Sequence, residues 1–323
     1  MPNEQRLDQL RDEAWGKGIV AARGVDVAGG PIPRQIGYYG QPILKPPVWT
    51  WEIPVYFFIG GIAGMSALIA LASALLHRLD VARMSILLAA IGAIVSPILL
   101  TMDLGRPRLF LNMLRVFKHK SVMSVGAWVV TFFGLCAVPA ILALELHARH
   151  ILPGNYDQLI RLVAAVLILI TAALGLLLAT YTGVLLGATA IPAWYLHRVL
   201  LPIHFGTAGL GSAAALLELL GYRIAPLNAI GFLAAATESA LWIWLELDKH
   251  GAADRGLYQG RAGGLIRGGE ILSGPLALVF RGLGLIPIAA ISFLLGALLS
   301  RFGWVAAGKV CACDAEAVLA AQR

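Results

Sequence analysis

Few residues in this 323-residue chain have the chemistry to act inside an apolar environment, and their positions are informative. Glu238 lies near the middle of a long apolar run, flanked by Thr237 and Ser239. An acid there either relays a proton or sits protonated and hydrogen-bonded, because a bare carboxylate in lipid is expensive. His204 lies inside a second apolar run. A haem held between two helices needs a pair of such histidines, whereas His77, His119, His147, His150, His197 and His250 fall in loops or at run ends. A b-type cytochrome is therefore disfavoured. The remaining polar residues gather where several runs meet one side. Tyr56 follows Trp49, Trp51 and Glu52 at the head of the first run; Asp103 and Arg106 come after the second; Ser121, Ser124 and Trp128 open the third. Tyr181 and Thr182 lie towards the same side of the fourth, and Trp242, Trp244 and Glu246 towards that of the sixth. A single tryptophan at such a depth belongs to an interfacial aromatic belt. Asp, Arg, Tyr, Ser and His converging from five runs describe instead a mostly apolar pocket with a few polar groups. That pocket suits a quinone, whose ring needs apolar walls and whose carbonyls need hydrogen-bond donors. Its two-electron reduction also needs two protons from an aqueous side. The cysteines add no centre: Cys136 lies in an apolar run, and Cys311 and Cys313 supply two ligands where a zinc or iron–sulfur site needs about four. No metal, haem or iron–sulfur cluster is expected in this chain.

Such residues need helices that cross a membrane to position them. The chain is 59% apolar and 13% charged, with mean hydropathy +0.79. A soluble domain carries about 25% charged residues to clothe its surface, so a soluble enzyme is excluded. Residues 53–76, 84–102, 121–144, 199–217, 224–245 and 282–300 are apolar runs long enough to span. Residues 162–196 are uncharged, too long for one upright helix and too short for two with a turn. They predict one long span to about Gly187, then a kinked interfacial segment through Pro192. The fold class is an all-α, polytopic transmembrane bundle of seven clear spans, with room for an eighth in 271–280. Gly60, Gly61, Gly64 and Ala67 suit close helix packing in lipid. Residues 1–48 read as a polar, Gly- and Pro-rich extramembrane arm without an export signal, 49–304 as the transmembrane domain and 305–323 as a polar tail. The net charge of +7 resides in loops, where it sets topology, so no nucleic-acid partner is expected. With the N-terminus on side A, the loop at 103–121 carries Arg106, Arg108, Arg115, Lys118 and Lys120, and the positive-inside rule favours side A in the cytoplasm.

Several motifs carry a family resemblance. The segment WTWEIPVYFFIGGIAGMSA (49–67) resembles the first membrane helix of the NrfD, or polysulfide reductase membrane subunit, family. DLGRPRLFLNML (103–114) followed by SVMSVGAW (121–128) is similar to the family's connection between helices two and three. YTGVLLGATAIPAW (181–194) and HFGTAGLGSAAALLELLG (204–221) fit the same pattern, so the resemblance spans about residues 49–300. It implies eight helices in two four-helix bundles, and a membrane anchor in the bacterial inner membrane without a redox cofactor of its own. It also implies a ferredoxin-like iron–sulfur subunit docked on side A, exchanging electrons with a menaquinone or ubiquinone between the helices. A third subunit, a molybdopterin enzyme or a multihaem cytochrome, would perform the substrate chemistry. The partner face of such relatives is often extracytoplasmic, against the charge count. On this reading Asp103 exchanges protons at the quinone, with Tyr56, Arg106, Ser124, Trp128, Tyr181 and His204 around it. Glu238, with Glu246, is the candidate for a proton path. Two other classes remain open. A secondary transporter would use the broken-looking segment 181–194 and Glu238, and a purely structural anchor would have no quinone site.

Overall fold

The computed structural model describes residues 42–104, 107–149 and 156–322. The arm up to residue 41 and Arg106 lie outside the described residues.

Among the described residues, seven helices are long and apolar enough to cross a membrane: α1 (Glu52–Leu75), α2 (Leu79–Met102), α3 (Val122–Ala148), α4 (Asp157–Gly187), α6 (Leu200–Leu219), α7 (Ala225–Leu247) and α11 (Ile286–Cys313). Shorter elements join them: a 3₁₀ turn at Pro107–Leu114, α5 (Pro192–Tyr195), α8 (Arg255–Tyr258), α9 (Gly260–Ser273), α10 (Pro275–Gly282) and α12 (Ala315–Ala320). The starts are legible locally. Ser121 accepts a hydrogen bond from the Ser124 N–H at the head of α3, and a proline occupies the first or second position of α5, α7, α10 and α11, where its missing N–H is harmless. As expected, one long helix ends at Gly187 and a short turn follows at Pro192. Large apolar side chains are exposed along α3 and α4, Leu135 and Leu162 among them, as lipid contact requires.

α1 packs on α2 and α4, and α3 closes the square against the same two helices. A second group holds α6, α7, the α9–α10 pair and α11, and α1 and α4 meet α6 along the seam. The eighth crossing is this α9–α10 pair. At about 1.5 Å per residue its two pieces reach about 33 Å, a membrane thickness. The pieces part at Gly274, where an added Cβ would lie 2.8 Å from both the Glu270 carbonyl and Ser239 Oγ. At one end Gly256, just before α9, lies against Cys311; at the other Arg281 meets Glu218 and Asn228. From Gly260 onward the chain therefore crosses the bundle, and only the turn around residues 248–259 stays on side A. The extra crossing also reverses the last helix: α11 returns to side A, where Lys309 Nζ donates to the Trp49 carbonyl. It runs to Cys313, past the expected end of the membrane domain at 304, with Ala307, Cys311 and Ala312 buried.

Glycines set the seam distances. A Cβ on Gly64 would sit 2.2 Å from the Gly175 carbonyl oxygen, and one on Gly175 would sit 2.3 Å from that of Gly64. Both obstacles are backbone, so only helix displacement relieves them. Gly175→Val is expected to cost at least about 1–3 kcal/mol, the usual range for overpacking. A fall in the midpoint of denaturant unfolding in detergent would register it; an unchanged midpoint would mean that α1 and α4 can separate freely.

Candidate functional site

The side A end of the first group encloses a cavity of about 160 Å³. Its walls come from α1, α2, α3 and α4, and the 3₁₀ turn after α2 roofs it with Phe110, Met113 and Leu114. Phe57, Pro97 and Val130 keep the interior apolar. Two hydroxyls meet inside: Tyr56 Oη and Tyr181 Oη are 2.8 Å apart. One hydrogen bond between two hydroxyls uses one of their two protons, so one O–H remains free to donate. Gly126 makes room for this pair, since a Cβ there would lie 2.2 Å from the Tyr181 ring. At the mouth, the C-cap residue Asp103 is half-buried and accepts from the N–H and Oγ1 of Thr50 at 3.1 and 3.0 Å. Thr50 Oγ1 also contacts Glu52, a buried acid in the first turn of α1.

A second polar centre lies in the other helix group. His204, Glu238, Glu270, Ser300 and Arg301 are all 3% exposed or less. His204 Nδ1 is 2.7 Å from Glu238 Oε2, while its Nε2 is 2.7 Å from Ser300 Oγ and 3.6 Å from Glu270 Oε1. Ser300 Oγ donates to Glu270 Oε1 at 3.3 Å. The Arg301 guanidinium stacks 3.7 Å over the Phe205 ring, donates to the Phe205 carbonyl and acts electrostatically on both carboxylates. With Ser300 donating to Glu270, His204 Nε2 donates to Ser300, and the short Nδ1–Oε2 contact needs one proton, carried by either partner. The group is neutral overall when Arg301 carries its charge and one of the two acids shares a proton with His204. A neutral group is the one that lipid tolerates.

The two centres touch through rings. Phe57 in the cavity wall lies 5.8 Å from Phe205, and Arg301 lies over the Phe205 ring. Trp49 stacks at 5.5 Å on Trp194, and Trp194 Nε1 donates to the Trp304 carbonyl. The Trp304 ring lies 6.4 Å from His204 and 5.9 Å from His197 at end A. Beside His197, outside the spans, burial pushes the Asp254 carboxyl up, but the hydrogen bond from the His250 backbone N–H and the neighbouring His197 and His250 rings outweigh that and hold it below the usual carboxylate range.

A family model described as "Polysulphide reductase, NrfD" matches residues 42–246, which run from the approach to α1 almost to the end of α7. This chain belongs to the NrfD family. The protein named "Protein NrfD" of Escherichia coli (strain K12) is 28% identical to this NrfD-family chain over 188 residues, 52% of the chain. That alignment spans 58% of the relative's own length. The cavity lies wholly within the stretch matched to NrfD, whereas the buried polar centre draws Glu270, Ser300 and Arg301 from beyond it.

Of the residues singled out by sequence in this NrfD-family chain, Tyr56, Asp103 and Tyr181 converge on the cavity. Arg106 lies outside the described residues. Ser124 does not line the cavity; its Oγ accepts from the Lys118 N–H and shapes the loop ahead of α3. Trp128 faces Phe132 and Phe117, at 5.5 and 6.3 Å, and lies away from the cavity too. His204 turns from the cavity into the second centre, because successive helix residues point about 100° apart and Phe205 takes the face towards α1. Glu238 meets His204 there, not Glu246, which pairs with Lys249 and approaches Arg267. Glu270 and Arg301 were missed because both sit where apolar runs stop, a position that reads as loop. The signal available was the length of 260–282, whose 23 residues are enough for a crossing despite four charges.

Proposed function

We propose that this chain is the quinone-reactive membrane subunit of a respiratory oxidoreductase complex in a bacterial inner membrane. The observation that carries the reading is the ring-sized, apolar cavity at end A with a tyrosine pair inside it and an acid at its mouth. A cavity of about 150 Å³ holds one benzene ring, so a quinone head group fits the 160 Å³ here. A bound menaquinone or ubiquinone would supply the two-electron chemistry. Phe57 and Pro97 would clamp the ring, and the spare O–H of the Tyr56–Tyr181 pair would donate to a carbonyl. Asp103, half-buried under Thr50, would exchange protons with the aqueous side. Electrons would pass to or from a ferredoxin-like iron–sulfur subunit docked on the basic loop at 103–121. A molybdopterin enzyme or multihaem cytochrome would complete the complex.

The neutral His204–Glu238–Glu270–Arg301 centre supports a second part of the reading, a proton relay through the membrane. Its one exchangeable proton lies near mid-span, and the Phe57–Phe205–Arg301 stack couples it to the cavity wall. The break at Gly274 beside Glu270 is what a transporter would use; solute counterflow by the chain alone in liposomes is the test of that alternative.

The quinone reading is tested with the purified complex. Tyr181→Phe, which removes one hydroxyl, is expected to raise the KM for a quinol analogue by up to about tenfold, the worth of one hydrogen bond. Asp103→Asn is expected to lower quinone-linked turnover by about 100-fold or more, as loss of a general acid–base group does. If the complex carries no quinone and Asp103→Asn turns over normally, the reading fails.

A further inference from the structure

Three residues that the quinone chemistry does not use meet at end A of the second helix group. His197 precedes α6, and His250 and Asp254 flank the turn between α7 and α8. His197 Nε2 lies 3.8 Å from Asp254 Oδ2, and His250 Nδ1 lies 3.6 Å from the same oxygen. One ligand atom from each of the three lies within 4.8 Å of the others. An ion with bonds of about 2.0–2.1 Å in tetrahedral geometry holds its ligands about 3.3–3.4 Å apart. Both contacts to Asp254 are therefore within about half an ångström of coordination distance before any side chain adjusts.

Two polar atoms in the group are buried without a hydrogen bond. His197 is 2% exposed and Asp254 0% exposed, yet His197 Nε2 and Asp254 Oδ1 have no donor or acceptor. Buried polar atoms are normally satisfied; a cation between His197 Nε2 and the Asp254 carboxylate would satisfy the first directly, and the second where the carboxylate binds through both oxygens. The surroundings are organised for it. The His250 N–H donates to Asp254 Oδ2 at 2.9 Å and holds the carboxylate in place. The far ring nitrogen of His250 faces Asp248 at 3.9 Å, an outer carboxylate of the kind that orients a ligating imidazole. The His250 side chain is 33% exposed, leaving an approach for the ion and room for a water as fourth ligand.

We propose that His197, His250 and Asp254 form a binding site for a zinc-class divalent transition metal. Two imidazoles and one carboxylate suit zinc, cobalt or nickel and not calcium or magnesium, which take oxygen ligands. The ion ties the α5–α6 connection to the α7–α8 turn over the end of the second group. The deeper trio His204, Glu238 and Glu270 has similar spacing, but the Arg301 guanidinium already supplies its cation. The sequence hides the surface site because its ligands are separated by 52 positions and lie in loops.

The test uses the full chain, purified without a polyhistidine tag and stripped with a chelator. Titration with Co²⁺ is expected to give the intense visible absorption of a tetrahedral ion, saturating at one per chain and abolished by added Zn²⁺. His250→Ala, at the exposed ligand, is expected to weaken Co²⁺ binding at least about tenfold, since even outer-shell losses cost 10–100-fold. Glu270→Gln is expected to leave binding unchanged. Absence of the absorption, His250→Ala binding as tightly as the parent, or an equal loss in Glu270→Gln would overturn the site, whatever becomes of the quinone reading.

Discussion

Replacing Arg281 by Met is expected to lower the unfolding free energy by about 3–5 kcal/mol, the cost of breaking one partner out of a buried ion pair. Arg281 Nη1 and Nη2 donate to Glu218 Oε1 and Oε2 at 2.8 and 2.7 Å, and Nη1 donates again to Asn228 Oδ1 at 2.8 Å. Arg281 is 4% exposed and Glu218 1%. The pair closes the side B end of the second helix group, joining α6 to α10 and α7. Met removes the guanidinium and leaves the Glu218 carboxylate where neither water nor a cation reaches it. The double substitution Arg281→Met with Glu218→Met removes both charges, and apolar replacement of a whole buried pair is often neutral or stabilising. Denaturant unfolding in detergent should therefore show a large loss in the single variant and recovery in the double. A double variant as unstable as the single would mean that the contribution lies in the bond to Asn228 and in packing on Gly231, not in the ion pair.

The second large effect is functional. Glu238→Gln is expected to reduce proton translocation by about 100-fold or more, as removal of a relay acid does, while quinone-linked turnover at the cavity persists. Gln can still donate its amide N–H to His204 Nδ1 across the 2.7 Å contact, so the packing of the centre survives. What disappears is the acidic proton beside His204, leaving Arg301 and Glu270 as opposite charges in one buried group with nothing to pass on. The complex in liposomes with a pH-sensitive dye inside reads the translocation, and quinol oxidation or reduction reads the turnover. If both fall together, Glu238 serves the cavity chemistry. If neither falls, the buried centre is structural.

How much of this was legible beforehand differs by element. The seven spans follow from composition, because about 20 apolar residues in a row have no other stable home. Long helix α4 and the turn at Pro192 were readable for the same reason, aided by a proline that cannot continue a helix. The eighth crossing was legible only in its second half, at 271–280, because Gly274 splits it into pieces of 14 and 8 residues and its first piece carries Arg261, Arg267 and Glu270. Hydropathy averaged over a window cannot distinguish such a piece from a loop. A count of seven spans sends the last helix towards side B, whereas the eighth crossing returns it to side A and keeps it helical to Cys313.

The candidate site divides in the same way. Tyr56, Asp103 and Tyr181 could be grouped from depth alone, since residues at one level of neighbouring spans are near one another in any bundle. Depth does not specify azimuth. His204 and Phe205 are adjacent in sequence and at one depth, yet one faces the second helix group and the other faces α1. By itself, then, the sequence determined that this is an all-α membrane protein of the NrfD family with its polar residues gathered towards one side. Tertiary structure alone decided that they form two centres separated by aromatic rings, and that Glu270 and Arg301 belong to the inner one. The physical reason is that transfer energy acts on each residue singly and is written in composition. Which faces of the helices meet is decided by packing among residues far apart in the chain, such as Gly64 against Gly175.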